Sequence, residues 1–301
     1  MAPGTDSSVT QDQRAPDGAA DGLAAAYAAA ADDVRRLDKD RFLSALFVPE
    51  PARRHVLAIL AFSAEIARVR DVVSDPLPGE IRLQWWRDAL LAAGQGNAAL
   101  PPVAEALVDT IRRFSLPTAA FINLIDARVF DLYDDPMPSL NDLEGYCGET
   151  ASALIQLSGL VLAGGSDPGL AEAAGHAGVA YALTGLLRAF PYHAARGQIY
   201  LPADLMAAHG VEPADIVAGR GSPALLALLA ALRAVARRHL GEARAHLAAL
   251  PRIVAPAFLP LALLEPVLAR MDRRDYDPFR TPVEIAQWRK QLSLWWAARR
   301  G

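Results

Sequence analysis

The sequence predicts an all-α protein built as a single large helical bundle. Three observations carry that expectation. Hydrophobic residues make up 52% of the 301 residues, and alanine and leucine dominate them, a composition that favours helix. Runs of valine, isoleucine, threonine and aromatics, the mark of strands, are absent. Long stretches of helical periodicity alternate with short breaks marked by proline and glycine.

Each element follows from local signals. Residues 1–21 carry Asp6, Asp12, Asp17 and Asp21 against Arg14. They lack both the apolar core of a signal peptide and the basic, acid-poor character of a transit peptide, and read as a disordered tail ahead of one helical domain, 22–301. An alanine-rich helix is expected over 23–37, and Asp40-Arg41-Phe42-Leu43 opens the next with an acidic first turn. Residues 50–74 read as one long helix, apolar almost all round as in a bundle interior, with Pro51 near its first turn. Pro76 and Pro78 stop it. A Trp- and Arg-rich helix over 79–93 precedes a Gly-Gln-Gly-Asn turn at 94–97. Helices are expected at 102–114, 117–133, 139–162 and 168–190, and an irregular segment at 191–197. Short helical pieces follow near 202–208 and 212–217, then long ones at 223–248 and 255–272. A Trp-rich helix near 283–299 closes the chain. No internal repeat and no linker divides it.

The net charge of −4 and a pI near 5.9 give no electrostatic footprint for nucleic acid. Positive charge is nearly all arginine, Lys39 and Lys290 being the lysines. Arginine suits bidentate grips on phosphate, although GC-rich coding is the plainer account. Cys147 is the one cysteine, which excludes an internal disulfide and zinc sites built on several cysteines. The longest apolar runs, 224–232 and 253–264, are short or broken by Pro256 and Pro260, so no bilayer span is expected. The expected location is cytoplasmic, peripheral at the inner membrane if the C-terminal helix touches lipid. That helix offers Trp288, Trp295 and Trp296 with Arg289, Arg299 and Arg300; packing on the bundle is the alternative.

Two segments carry candidate chemistry. Asp71 and Asp75 are four apart on an expected helix, about 40° apart in projection, a spacing at which two carboxylates share a divalent cation such as Mg²⁺. Pairing with Arg68 or Arg87, or simple solvation at a helix end, is the alternative. The second segment is Leu187-Arg188-Ala189-Phe190-Pro191-Tyr192-His193-Ala194-Ala195-Arg196-Gly197-Gln198-Ile199-Tyr200-Leu201-Pro202. It resembles the second signature of the squalene/phytoene-synthase family, in which Arg-Asp-x-x-x-Asp runs on through Arg-Gly-x-x-Tyr-Leu-Pro. Ala189 and His193 stand where the family's metal-binding aspartates would be. Counted from Ala61-Phe62, Asp71 falls on the last aspartate of the family's first signature, and Ala67 and Arg68 on the preceding pair. Leu83–Leu90, Leu124–Leu132 and Leu143–Ala151 resemble further family segments. In the second of these, Asp126 and Asp131 lie about 140° apart and form no ligand pair.

The resemblance implies an isoprenoid-synthase-type bundle over roughly 22–275. Prenyl transfer in the family starts with metal-assisted loss of diphosphate, and too few acids remain here to hold that metal. Histidine is a poor ligand for Mg²⁺, and Pro191 should end or kink the helix. Arg188, His193 and Arg196 would then form a wall able to hold an anion without metal; equally, Tyr192 and His193 fill space and hydrogen-bond within the bundle, which is the plainer reading for Tyr192. Arg-Ala-x-Pro-Tyr-His is similar to the branch of the family that includes the mitochondrial assembly factor for respiratory complex I and its bacterial relatives. The resemblance thus implies a non-catalytic assembly or binding factor whose partner is a respiratory-complex subunit or assembly intermediate. The rival is a Mg²⁺-dependent head-to-head prenyltransferase. It would use Asp71, Asp75 and Asp131 for metal and Arg68, Arg188, Arg196, His193 and Tyr200 toward diphosphate. A third reading holds an isoprenoid lipid between the helices without chemistry.

Overall fold

The computed structural model describes residues 15–92 and 100–300, residues 15–20 by backbone alone. The expected turn at 94–97 and the tail before Ala15 lie outside these residues. The first helix, α1 (Ala15–Leu37), already begins within the segment expected to be a tail. The described residues are helices and their connections, with no strand.

After α1 come α2 (Lys39–Ala45) and α3 (Ala52–Ala67). Asp38 caps α2, its side chain accepting from the Arg41 amide at 3.0 Å, as short acidic residues do at helix starts. The helix expected over 50–74 is shorter than that. It ends at Ala67 and tightens into a 3-10 turn, Val69–Val72, after which Val73 is extended. Asp75 sits in the bend before Pro76, where the ring of the following proline disfavours helical backbone. Asp71 and Asp75 therefore do not share a helical face.

Then follow α4 (Pro76–Ala92), α5 (Pro102–Phe114) and α6 (Thr118–Val129), the last continued by a 3-10 turn, Phe130–Leu132. Phe62 of α3 is fully buried, with Trp86 and Phe121 edge-on at 5.1 and 5.7 Å. Burying a ring of that size contributes about 1.5–3 kcal/mol. The helix expected over 139–162 is α7 (Leu140–Cys147) and α8 (Ala153–Leu162), joined by one π turn, Gly148–Ser152. Gly178 of the next helix lies against that turn. A Cβ there would sit 2.2 Å from the Ser152 amide nitrogen, so only glycine lets the two backbones meet.

That helix, α9 (Ala171–Ala195), does not stop at 190. It runs through Pro191, which removes one helical hydrogen bond, because Phe190 and Ala194 on either side are buried. A Schellman cap closes it: Gly197 adopts φ +76°, its amide donates to Ala194 O at 3.1 Å, and the Gln198 amide donates to His193 O at 2.9 Å. The Arg-Gly of the signature is thus a helix terminator. The rest is α10 (Ala203–His209), α11 (Pro213–Val217), α12 (Pro223–Leu247), a 3-10 stretch Arg252–Leu263, α13 (Leu264–Met271) and α14 (Gln287–Arg300). Residues Arg252–Met271 are long and apolar enough to cross a membrane by length and composition, contrary to the expectation from the broken runs. Here half of the stretch is buried, packed on α2, α8, α9 and α14.

Apolar side chains form two large clusters. The first gathers α1, α3, α4, α5, α6, α8 and the C-terminal part of α12; the second gathers α7, α10, the N-terminal part of α12 and most of α13. The helix α9 serves both, Ala173, Ala174, Ala177 and Ala180 in the first and Leu183, Leu187, Phe190 and Ala194 in the second. Its C-terminal half carries the signature residues.

Candidate functional site

The C-terminal end of α9 and the extended segment Gln198–Tyr200 after its cap face α7 and the 3-10 turn Phe130–Leu132. At the centre lies Asp131, buried. Its Oδ1 accepts from the Tyr146 hydroxyl at 2.8 Å and the Tyr200 hydroxyl at 2.9 Å, and its Oδ2 from Arg128 Nη1 at 2.8 Å. The same Arg128 nitrogen donates to the Tyr146 hydroxyl at 2.8 Å. Gln198 Nε2 reaches the Asp131 carbonyl at 3.3 Å, and His193 Nδ1 lies 3.4 Å from Gln198 Oε1. An amide oxygen only accepts, so Nδ1 is assigned as the proton-bearing nitrogen. The His193 ring stands edge-on to Tyr200 at 4.8 Å.

Burial, then the Asp131 charge, pushes the Tyr200 phenol well above its ordinary value, and burial does the same at Tyr146. Burial also pulls His193 down, against the opposing pull of Gln198 and Asp131, so its ring is neutral at pH 7. Burial alone would lower Arg128; Tyr146 and Asp131 outweigh it and hold the guanidinium charged. Arg128 Nε is buried without a hydrogen-bond partner. A void of about 20 Å³ adjoins His193, Tyr200, Phe190 and Leu232, room for about one water.

Outside this layer is an exposed one. The Tyr192 hydroxyl donates to Asp71 Oδ1 at 3.0 Å and accepts from Arg196 Nη1 at 2.8 Å; Arg196 Nη2 lies 3.5 Å from the same carboxylate oxygen. The two signatures thus meet through a tyrosine. Tyr192 is hydrogen-bonded, as the plainer reading had it, but it is half exposed rather than enclosed in the bundle.

The remaining candidates are dispersed. Arg188 turns to α2, where its Nη1 lies 3.0 Å from Asp40 Oδ2, and Lys290 of α14 reaches Asp40 Oδ1 at 2.6 Å. The expected wall of Arg188, His193 and Arg196 does not form, because Asp40 draws Arg188 away. Arg68 pairs with Glu65 at 3.8 Å. It lines a half-open cavity of about 610 Å³ shared with Arg82, Trp85 and Trp86. Arg87 pairs with Asp126 of α6 rather than with Asp71. Asp75 is exposed in its bend. Asp40, Arg128 and Tyr146 carry much of this arrangement and were not singled out from sequence. The signal for one pair was present, since Arg128 and Asp131 are three apart, a helical contact spacing.

The donors do not fit a magnesium cluster. Mg²⁺ wants several free oxygens in near-octahedral array. Among the described residues Asp71, Asp75 and Asp131 form no group of converging carboxylates, and both Asp131 oxygens already accept from protein donors.

Fold and signature segments together define a protein of the isoprenoid-synthase type. The squalene/phytoene synthase family profile matches residues 34–296, and the chain belongs to that family. It is 32% identical over 262 residues to a rat protein named NADH dehydrogenase (ubiquinone) complex I, assembly factor 6, covering 87% of this chain and 78% of the rat protein. It is 30% identical over 261 residues to phytoene synthase of Thermus thermophilus, covering 84% and 86%. Squalene synthase HpnC from Alicyclobacillus acidocaldarius superposes with a TM-score of 0.76 at 23% identity, over 85% of this chain and 97% of that one, a likeness of fold.

Proposed function

We propose that this chain is a non-catalytic member of the family, acting as an assembly or binding factor of the respiratory complex I type through contact with another protein. The observation that carries the reading is the saturated Asp131 carboxylate, held by Tyr146, Tyr200 and Arg128. Ala189 and His193 stand where metal ligands would be needed. Loss of diphosphate needs electrostatic stabilisation of the departing charge, and among the described residues Asp71, Asp75 and Asp131 do not gather into one group that could anchor the cations. Similarity to the assembly factors supports the role. The partner is a respiratory-complex subunit or assembly intermediate, met at the inner membrane surface from the cytoplasmic side.

The test has two arms. Purified protein is incubated with Mg²⁺ and farnesyl or geranylgeranyl diphosphate; no head-to-head product is expected, and its appearance overturns the reading. Deleting the gene should lower the assembled membrane NADH dehydrogenase seen on native gels, and unchanged levels would count against the partner.

A second reading, head-to-head prenyl transfer, draws on the likeness to phytoene synthase. It assigns metal to Asp71, Asp75 and Asp131 and diphosphate to Arg68, Arg188, Arg196, His193 and Tyr200. It requires Mg²⁺-dependent diphosphate binding that Asp71→Ala abolishes. Retention of an isoprenoid lipid without chemistry would show as lipid co-purifying with the protein.

A further inference from the structure

The opposite end of α9 holds a cluster that the assembly reading does not use. Three of the six histidines, His176, His239 and His246, meet there. Glu172 and His176 are four apart at the start of α9, so they share a face. His246 comes from the last turn of α12, which runs back along α9. One carboxylate oxygen of Glu172 and one nitrogen each of His176 and His246 lie within 4.8 Å of one another.

Behind them stands a relay. His239 Nε2 lies 3.1 Å from Glu144 Oε1, and His239 Nδ1 lies 2.9 Å from His176 Nδ1. The ionised carboxylate only accepts, so Nε2 of His239 carries the proton. In the neutral ring Nδ1 of His239 is then an acceptor, and Nδ1 of His176 is the donor to it. That tautomer leaves Nε2 of His176 with its lone pair free. A carboxylate–histidine chain of this kind is the usual support behind a metal-binding imidazole.

We propose that Glu172, His176 and His246 bind a divalent transition metal, Zn²⁺ by donor type, with water in the fourth position. Two imidazoles and one carboxylate suit zinc rather than Mg²⁺. Tetrahedral coordination at about 2.0–2.1 Å places ligand atoms roughly 3.3 Å apart. Glu172 and His246 are exposed, so their side chains are free to turn toward a shared ion. The ion clasps the start of α9 to the end of α12. It lies about 25 Å along α9 from His193, seventeen residues at 1.5 Å each. It is therefore a structural ion, independent of any chemistry at the signature.

The experiment uses the full chain without an affinity tag, titrated calorimetrically with Zn²⁺, Co²⁺ and Mg²⁺ and melted with and without each. Expected are one Zn²⁺ per chain, a Zn²⁺-dependent rise in Tm, tetrahedral Co²⁺ absorption bands and no response to Mg²⁺. His246→Ala and Glu172→Gln should each weaken Zn²⁺ binding by at least about tenfold, and Glu144→Gln by about tenfold through the relay. Both ligand substitutions are at exposed positions, and circular dichroism verifies their fold. Binding to wild type no tighter than to His246→Ala, or loss of binding in Asp71→Ala instead, overturns the proposal. Neither result bears on the prenyl-transfer assay.

Discussion

The Tyr192 hydroxyl donates to Asp71 at 3.0 Å, joining side chains 121 residues apart. Arg196 closes the triangle on both. A phenol and a guanidinium together hold this carboxylate. All three side chains are substantially exposed, so the energy is small: exposed pairs contribute about 0.2–1 kcal/mol. A double-mutant cycle of Tyr192→Phe and Asp71→Ala, read by urea denaturation, should give a coupling below about 1 kcal/mol. A larger coupling would mean that the contact is shielded from water.

Asp131 is the contrasting case. It is buried and accepts from three donors. Removing one partner of a buried charged network costs about 3–5 kcal/mol. Asp131→Asn should therefore lower stability by roughly that amount, whereas Asp75→Ala, at an exposed bend, should stay within about 0.5 kcal/mol. Equal and small effects at both positions would contradict the saturated geometry.

The bundle itself was legible in the sequence because alanine- and leucine-rich periodicity extends over whole helices, and tertiary packing agrees with it. The course of α9 past Pro191 was not, since the proline's local preference is overruled by buried Phe190 and Ala194 and by the Gly197 cap. The site was half legible. Missing aspartates at 189 and 193 are visible as letters. That Arg188 leaves for Asp40, and that Asp131 is claimed by two tyrosines, depends on which side chains meet across 148 and 69 residues, and no local pattern encodes that.

Asp40 ties three helices together: Arg188 of α9 and Lys290 of α14 both pair with it. Burial alone would raise its carboxyl, but Lys290 and Arg188 outweigh burial and hold it below the ordinary carboxylate value. A depressed carboxyl stabilises the fold above the unfolded value, and that stability is lost as pH falls through the folded one. Lys290→Ala leaves Arg188 in place, so its cost should be on the order of 1–2 kcal/mol. Amide exchange should locate the loosening in α14 first.

His55 titrates in the other sense of charge with the same outcome. It is fully buried, touching the Tyr27 hydroxyl at 2.8 Å and Thr110 Oγ1 at 2.9 Å. Burial, with Arg54 nearby, lowers it from 6.5 to about 4. The unfolded chain thus binds the proton more readily, so stability is full above pH 6.5 and declines toward pH 4. One such group gives a slope approaching about 1.4 kcal/mol per pH unit inside that window. Urea denaturation from pH 7 to pH 4.5 should show the decline, and His55→Gln should flatten it; an unchanged slope in the variant would assign the decline to other groups.

The outer face of α14 makes the last prediction. Leu294 is fully buried and Lys290 is fixed on Asp40, which anchors one face of the helix. Trp288, Leu292, Trp295 and Trp296 are exposed at spacings of four, three and one, a stripe on the opposite side. Arg289, Arg299 and Arg300 lie over the rings of Trp288, Trp295 and Trp296 at 5.1, 3.9 and 5.4 Å. The helix carries no acid. Indoles flanked by guanidinium groups suit the headgroup layer, with apolar bodies inward and charge at the anionic surface. The protein should therefore co-sediment with vesicles containing anionic lipid and release as salt rises, since the attraction is screened. Substituting Trp288, Trp295 and Trp296 with serine should abolish co-sedimentation while costing little stability, because Leu294 and Lys290 rather than the indoles anchor the helix. Binding that survives the triple substitution, or that is equal on neutral vesicles, would move the contact elsewhere on the surface.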